Sequence, residues 1–363
     1  MTYLDYQATT PLAPEARDAM LHWLGGPGET GFGNPHSAHR LGRQAAAAVE
    51  VAREQVASLL PSGGRVIFTS GATEALNTAL RGTAGDVLTF AAEHAAVLDC
   101  ARPVEEQGRK FSILPVQADG RADCDALRAA IAPGAGLVAA MLVNNEIGTV
   151  NPLADIAAVA REAGALVLCD AVQAYGRIAI PEGADFIAIS AHKIHGPKGI
   201  GALWVRDGIT FEPLMFGGGQ EQGARSGTLS PALCAGFGAA AQLAAERMDA
   251  DAAHVAALWD RARELLAGWQ VNGSVEHRWK GNLNVRRDGL DVARLMSDLR
   301  NIAFSAGSAC ASGSGRPSHV LRAIGLSDGQ AKNSIRIGFG RYTGLEELER
   351  AVAAIAAGAM EQG

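Results

Sequence analysis

The run Phe186-Ile187-Ala188-Ile189-Ser190 leads straight into Ala191-His192-Lys193-Ile194-His195-Gly196-Pro197-Lys198-Gly199, and this junction decides how the chain is read. A short run that is apolar on both faces reads as a strand buried on both sides, the habit of a parallel sheet covered by helices. The Gly196-Pro197 pair then breaks the chain into a turn. A lysine at the end of a buried strand is badly placed for a solvated charge. Two readings of Lys193 stay open on this segment: a loop lysine near the surface, or an amine that captures an aldehyde cofactor as a Schiff base.

Similar runs lie on either side. Val66-Ile67-Phe68-Thr69, Leu137 to Val143, Ala165-Leu166-Val167-Leu168-Cys169 and Gly201-Ala202-Leu203-Trp204-Val205 all read as short buried strands. Helical patterns separate most of them, Leu153 to Ala163 among them, so the sequence predicts an α/β domain with a largely parallel sheet. Ala38 to Leu60 reads as an amphipathic helix stopped by Pro61 and the Gly63-Gly64 pair. Ala232 to Leu266 is Ala-rich and reads as two helices. Beyond Trp269 the texture changes to short strands, Leu283-Asn284-Val285 and Ser334-Ile335-Arg336-Ile337, mixed with short helices. That suits a small α+β unit, with a boundary near residue 250. Thr343-Gly344-Leu345-Glu346 fits a capping box opening a last helix, Leu345 to Met360.

Composition narrows the function. The 363 residues are 48% hydrophobic and 19% charged, enough for a large core. The net charge of −6 argues against a general nucleic-acid binder. The N-terminus lacks a basic region followed by an apolar stretch, and no apolar run is long enough to span a bilayer, so neither a signal peptide nor a membrane segment is expected. Five cysteines without Cys-x-x-Cys spacing predict no disulfide framework or structural zinc, and a reduced cytoplasmic setting. Only five lysines are present: Lys110, Lys193, Lys198, Lys280 and Lys332. Any chemistry needing an amine or a thiol has few candidates.

Four further motifs carry chemistry. Asp170 follows the strand ending at Cys169, at the carboxyl edge where ligands of parallel sheets bind. It can serve as the acid partner of a pyridine-ring nitrogen, or simply cap a helix. Thr69-Ser70-Gly71-Ala72-Thr73-Glu74 sits between a strand and a helix and can cradle a phosphate, although many such turns bind nothing. His94 stands at a helix start, either as a ring stacker or as a half-buried polar residue. His192 and His195 have weak metal-ligand spacing but no acidic or thiol partner, so no metal is expected. Cys310 lies in Ser305-Ala306-Gly307-Ser308-Ala309-Cys310-Ala311-Ser312-Gly313-Ser314-Gly315, a small-residue loop suited to a reactive thiolate.

Together these residues resemble the cysteine desulfurases of the nitrogen-fixation and housekeeping iron–sulfur type, within the class V aminotransferase family. Tyr3 to Thr10, Gly33-Asn34-Pro35-His36-Ser37, Ser70 to Glu74, Glu93-His94, Asn144 to Gly148, Asp170 to Gln173, Ser190 to Lys193, Arg225-Ser226-Gly227-Thr228, Gly307 to Cys310 and Ser334-Ile335-Arg336 carry the likeness, in that order. The resemblance implies a fold-type I pyridoxal-phosphate enzyme: a large domain, residues 13–249, with a mostly parallel seven-stranded sheet, and a small α+β domain, residues 1–12 and 250–363, bearing the cysteine loop.

The resemblance also implies roles. Lys193 forms the Schiff base and moves the Cα proton. Asp170 pairs with the ring nitrogen and His94 stacks on the ring. Gln173 and Asn145 lie near the ring hydroxyl, while Ala72, Thr73, Ser190 and His192 hold the phosphate. Thr228 reaches the phosphate of a second subunit, which implies a homodimer. Arg336 grips the carboxylate of L-cysteine, with Asn34 and Asn145 nearby. Cys310 attacks the substrate sulfur, becomes a persulfide and releases alanine. A sulfur-acceptor protein, such as an iron–sulfur scaffold, then takes the sulfur. The chain stops at Gly363, without the longer tail that housekeeping members use for docking, which leaves the acceptor open. The rival activities on the same fold are a β-lyase and a selenocysteine lyase.

Overall fold

Strands form where β-branched and apolar residues cluster, and helices where Ala, Leu and charged residues follow a stop signal. A computed structural model describes residues 1–307 and 317–362. Its strands are β1 (Thr2–Tyr3), β2 (Gly64–Thr69), β3 (Val87–Phe90), β4 (Phe111–Leu114), β5 (Leu137–Met141), β6 (Leu166–Asp170), β7 (Phe186–Ser190), β8 (Gly201–Arg206), β9 (Gln270–Val271), β10 (Asn282–Arg286), β11 (Ile302–Ala303), β12 (Ser305–Ala306) and β13 (Ser334–Gly338). Its helices are α1 (Pro14–Leu21), α2 (Arg40–Ala57), α3 (Ala72–Gly82), α4 (Ala95–Leu98), α5 (Ala101–Glu105), α6 (Cys124–Ala130), α7 (Leu153–Glu162), α8 (Pro231–Leu265), α9 (Val292–Asp298), α10 (His319–Ala323), α11 (Asp328–Lys332) and α12 (Leu345–Met360).

The seven-stranded sheet has the order β2-β8-β7-β6-β5-β3-β4. Every pairing is parallel except those of β8, which runs against both β2 and β7. The reversal has a geometric effect. It brings Gly201, the first residue of β8, beside Thr69 and Ser190, the last residues of β2 and β7. Asp170 and Met141 end β6 and β5 at the same edge. One rim of the sheet therefore collects Thr69, Met141, Asp170 and Ser190, each at the point where its strand gives way to a turn.

A second sheet, β12-β13-β10-β9, is antiparallel. The N-terminal segment reaches it: β1 pairs with β11, and Asp5 bridges to Gly338 at the end of β13. Among the described residues no helix is long and apolar enough to cross a membrane.

Two sequence expectations are corrected, and two strands are added. The Ala-rich stretch is one helix, α8, of 35 residues rather than two. Its buried residues fall into two runs, Ala232 to Ala244 and Val255 to Ala262, with a more exposed stretch between them. That gap imitates a break, but no proline follows Pro231 at the first turn to make one. The capping box at Thr343 does not form: Gly344 is the N-cap of α12, and the Thr343 hydroxyl instead accepts from Gly340 N–H at 3.2 Å. The strands β3 and β4 had no counterpart in the sequence reading.

Helix α8 packs on α1 and α2. The approach to α2 is close enough to require glycine. A Cβ added at Gly238 would fall 2.8 Å from Ala52 Cα. We expect Gly238→Ala to destabilise the fold by about 1–3 kcal/mol through overpacking. Urea unfolding checks this: the midpoint should fall while the m-value holds.

Candidate active site

The sheet rim opens on a cavity of about 470 Å³. Ala72, Thr73, His94, Asn145, Asp170, Gln173, Ser190, His192, Lys193 and Arg336 all line it. They arrive from both sheets and from turns far apart in sequence. Asn34 and Thr228 do not line it; both are exposed on loops, and Asn34 Oδ1 accepts from His36 N–H at 2.9 Å. Cys310 lies outside the described residues.

Strand ends place the first group. Ser190 ends β7, and a single 3₁₀ turn over Ala191–Lys193 then lifts His192 and Lys193 off the sheet. The Lys193 ammonium donates to the carbonyls of Gln7 and Ala8, each at 2.7 Å. Burial lowers its pKa to about 8, and the charges of Arg177 and Arg336 push the same way against Asp5 and Asp170. The neutral amine is therefore far more accessible near neutral pH than that of an ordinary lysine. Burial also lowers His192 to about 4, aided by Lys193 and Lys198, so its ring is uncharged there. His192 Nδ1 lies 3.1 Å from the Thr9 hydroxyl.

Asp170 is buried at the end of β6, and its Oδ1 accepts from Val172 N–H at 3.0 Å. Burial pushes its carboxyl up, and His94, the Val172 bond and Lys193 pull it down. A buried carboxylate in this position gains from a cation placed against it. His94 caps α4: its Nδ1 accepts from Ala96 N–H at 3.0 Å, which leaves the proton of a neutral ring on Nε2. Beside it Glu93 is buried, and burial pushes its carboxyl well above the usual carboxylate range. One of its oxygens accepts from Met141 N–H at 2.8 Å.

The phosphate-like cradle is at the start of α3. No side chain caps this helix, although Gly71 stands at the N-cap. A Cβ built on Gly71 would meet nothing within 4 Å, so space adjoins the first-turn N–H groups. An uncapped helix start facing space suits an anion. Glu74 is turned away from it, bound to Arg225 Nε at 2.8 Å and to Ser70 N–H at 2.7 Å.

Arg336 comes from the second sheet, in the middle of β13, and is wholly buried. Its guanidinium donates to Asp5 at 2.6 Å and to the carbonyl of Asn145 at 3.1 Å. Its Nε has no acceptor among the described residues. A buried cation with an unused donor in a cavity is fitted to a carboxylate ligand. Sequence reading had missed Asp5, Gln7 and Arg177. Asp5 and Gln7 were quoted only as part of a motif, and only the folded N-terminal segment brings them to this cavity.

The four described cysteines are poor thiolates. Burial raises Cys100 to about 11 and Cys234 to about 12, and pushes Cys169 and Cys124 in the same direction.

The donor set fits pyridoxal phosphate: an amine for the aldehyde, a buried acid for the ring nitrogen, and an uncapped helix start for the phosphate. The fold and this set define an α/β enzyme built around a strand-end lysine. Residues 2–351 match the class-V aminotransferase family. The chain is 43% identical over 96% of its length to a protein named cysteine desulfurase IscS from Rickettsia rickettsii (strain Iowa), covering 89% of it. It is 44% identical over 96% of its length to a mitochondrial cysteine desulfurase of Arabidopsis thaliana, covering 80% of that protein. Among solved structures, a NifS-like protein superposes with a TM-score of 0.89 at 31% identity, over 98% of each chain. A structure of SspA in complex with cysteine superposes with a TM-score of 0.83 at 34% identity, over 95% of this chain and 100% of that one. The chain belongs to the class-V aminotransferase family and, within it, to the cysteine desulfurases. These enzymes depend on pyridoxal phosphate.

Proposed function

We propose that Lys193, Asp170 and Cys310 carry out the desulfuration of L-cysteine here, with the cofactor held on Lys193 as a Schiff base and the sulfur left on Cys310. The observation that carries this reading is the meeting of Lys193, buried Asp170 and the uncapped start of α3 in one cavity. Pyridoxal phosphate, when bound, supplies a positively charged ring that takes up the electrons freed as the Cα–H bond breaks.

The chain does the rest. Arg336 binds the substrate carboxylate through its planar fork. Asp170 keeps a proton on the ring nitrogen, and His94 covers the ring. Gln173 and Asn145 serve the ring hydroxyl. Ala72 N–H, Thr73, Ser190 and the neutral His192 donate to the phosphate. Lys193, released as a free amine, takes the Cα proton and returns it. The Cys310 thiolate then attacks the substrate sulfur. A sulfur–sulfur bond forms, the carbon–sulfur bond breaks, and its electron pair stays with Cβ, which gains a proton. Cysteine and one thiol thus become alanine and one persulfide with no outside oxidant.

Asn34 assists near the substrate carboxylate, and the exposed Thr228 is assigned to a composite site of a homodimer, on the partner's phosphate. A sulfur-acceptor protein, such as an iron–sulfur scaffold, completes turnover. A reducing cytoplasmic setting suits a mechanism that needs a free thiolate.

The test is incubation of the loaded enzyme with cysteine, without reductant, followed by mass spectrometry of the Cys310 peptide. One added sulfur atom on that peptide, with an equal amount of alanine released, is the expected result. Alanine without sulfur on Cys310 would leave a lyase reading instead.

A further inference from the structure

Arg177 sits in the turn after β6 and was assigned no role above. Its guanidinium donates to the Lys193 carbonyl at 2.7 Å, to the Gln173 carbonyl at 3.3 Å, and to Gln173 Oε1. No carboxylate among the described residues forms an ion pair with it. The Trp279 ring lies 6.0 Å from its central carbon. A half-buried cation without a carboxylate partner, with its donors spent on Gln173 and the Lys193 backbone, is an unusual use of a charge.

We propose that Arg177 is a positioning residue for the reaction: it sets which end of the Gln173 amide faces the cavity and supplies a fixed positive charge beside the Lys193 amine. The proposal rests on the reading of Lys193 and Gln173 as cofactor-binding residues.

The amide orientation follows from donor chemistry. Arginine has only donors, so the group facing it must be the Gln173 oxygen. On the other side Gln173 Nε2 donates to the Gln7 carbonyl at 3.0 Å, an acceptor only. The two neighbours agree, and the second N–H of Nε2 is left for the cavity that Gln173 lines. Without Arg177 the amide loses one of its two constraints and can present its oxygen instead. The same Gln7 carbonyl also accepts from Lys193 Nζ, so amide and amine share one anchor.

The charge acts on Lys193. Besides burial, the groups that act on this amine are Arg177 from the turn after β6, Arg336 from β13, Asp5 from the N-terminal segment and Asp170 from β6. His192, adjacent in the chain, is uncharged at neutral pH, and Lys198 shares the cavity wall. The cations favour the neutral amine and the two carboxylates oppose them. Among these charges Arg177 has the largest effect, and unlike Arg336 it has no carboxylate partner to offset it.

The test uses cofactor-free full-length protein and the variants R177M and R177K. Trinitrobenzenesulfonate labels neutral amines, and with five lysines in the chain the Lys193 peptide is readily followed by mass spectrometry against pH. We expect R177M to raise the Lys193 labelling midpoint by about one pH unit, slowing labelling at pH 8 about fivefold. R177K keeps the charge and should keep the midpoint. With pyridoxal phosphate added, R177M and Q173L should each move the absorption maximum, and the double variant should move it no further. R177K, with no fork, should also move it. An unchanged midpoint in R177M, or a wild-type spectrum in both R177M and R177K, would overturn the proposal and leave Arg177 a packing residue. Wild-type protein whose Lys193 takes up no pyridoxal phosphate would overturn the cofactor reading itself, and the proposal with it.

Discussion

Cys310→Ala is expected to stop alanine release from cysteine, lowering kcat by at least about 10³-fold, while cofactor uptake and its absorption stay as in the wild type. The reason is elimination joined to chemistry. Attack on a sulfur atom needs a thiolate. Burial pushes the thiols of Cys100, Cys124, Cys169 and Cys234 up, away from the reactive thiolate. No second thiol is therefore ready to substitute, and the loss should be nearly complete. Alanine assay and the visible spectrum, measured on one preparation, separate the two effects. Turnover within tenfold of the wild type would sink the persulfide mechanism and favour a lyase.

Lys193→Ala should have an effect at least as large, on the order of 10⁴-fold or more, because in the proposed mechanism one side chain both holds the cofactor and moves the proton. Borohydride should no longer fix the cofactor to the protein. The wild-type amine adds a pH signature. Only the neutral amine attacks an aldehyde, and the Lys193 pKa is lowered to about 8. Uptake of pyridoxal phosphate by cofactor-free protein should therefore rise with pH and level off above about 8. A plateau reached only near the ordinary lysine value, about 10.4, would show that burial does not tune this group.

What was legible in sequence depended on distance along the chain. Asp170, Ser190 and Lys193 could be picked out because strand ends are local features, and each stands within a few residues of an apolar run. The observed strand Phe186–Ser190 matches the sequence reading, since a buried strand needs only its own composition to be recognised. Arg336 came from the family likeness, but its partner Asp5 stands at the other end of the chain, joined to it only through the second sheet. Arg177 was hidden differently. A lone arginine in a turn looks like a surface charge until the fold closes Trp279, Gln173 and the Lys193 backbone around it. The helix α8 misled because burial lapses in its middle while helix propensity does not. Thr343 misled because its hydroxyl accepts from the residue three before it, Gly340, and not from the helix that follows. The strands β3 and β4 are four residues each, too short for periodicity to register.

If Arg336 binds the substrate carboxylate as proposed, its pair with Asp5 has a consequence for recognition. The arginine meets an incoming carboxylate with one already in its grip, at 2.6 Å. Binding is then an exchange of counter-ions, in the manner of a resin, and not a bare capture of charge. Selectivity rests on the difference between an outside carboxylate and the tethered one.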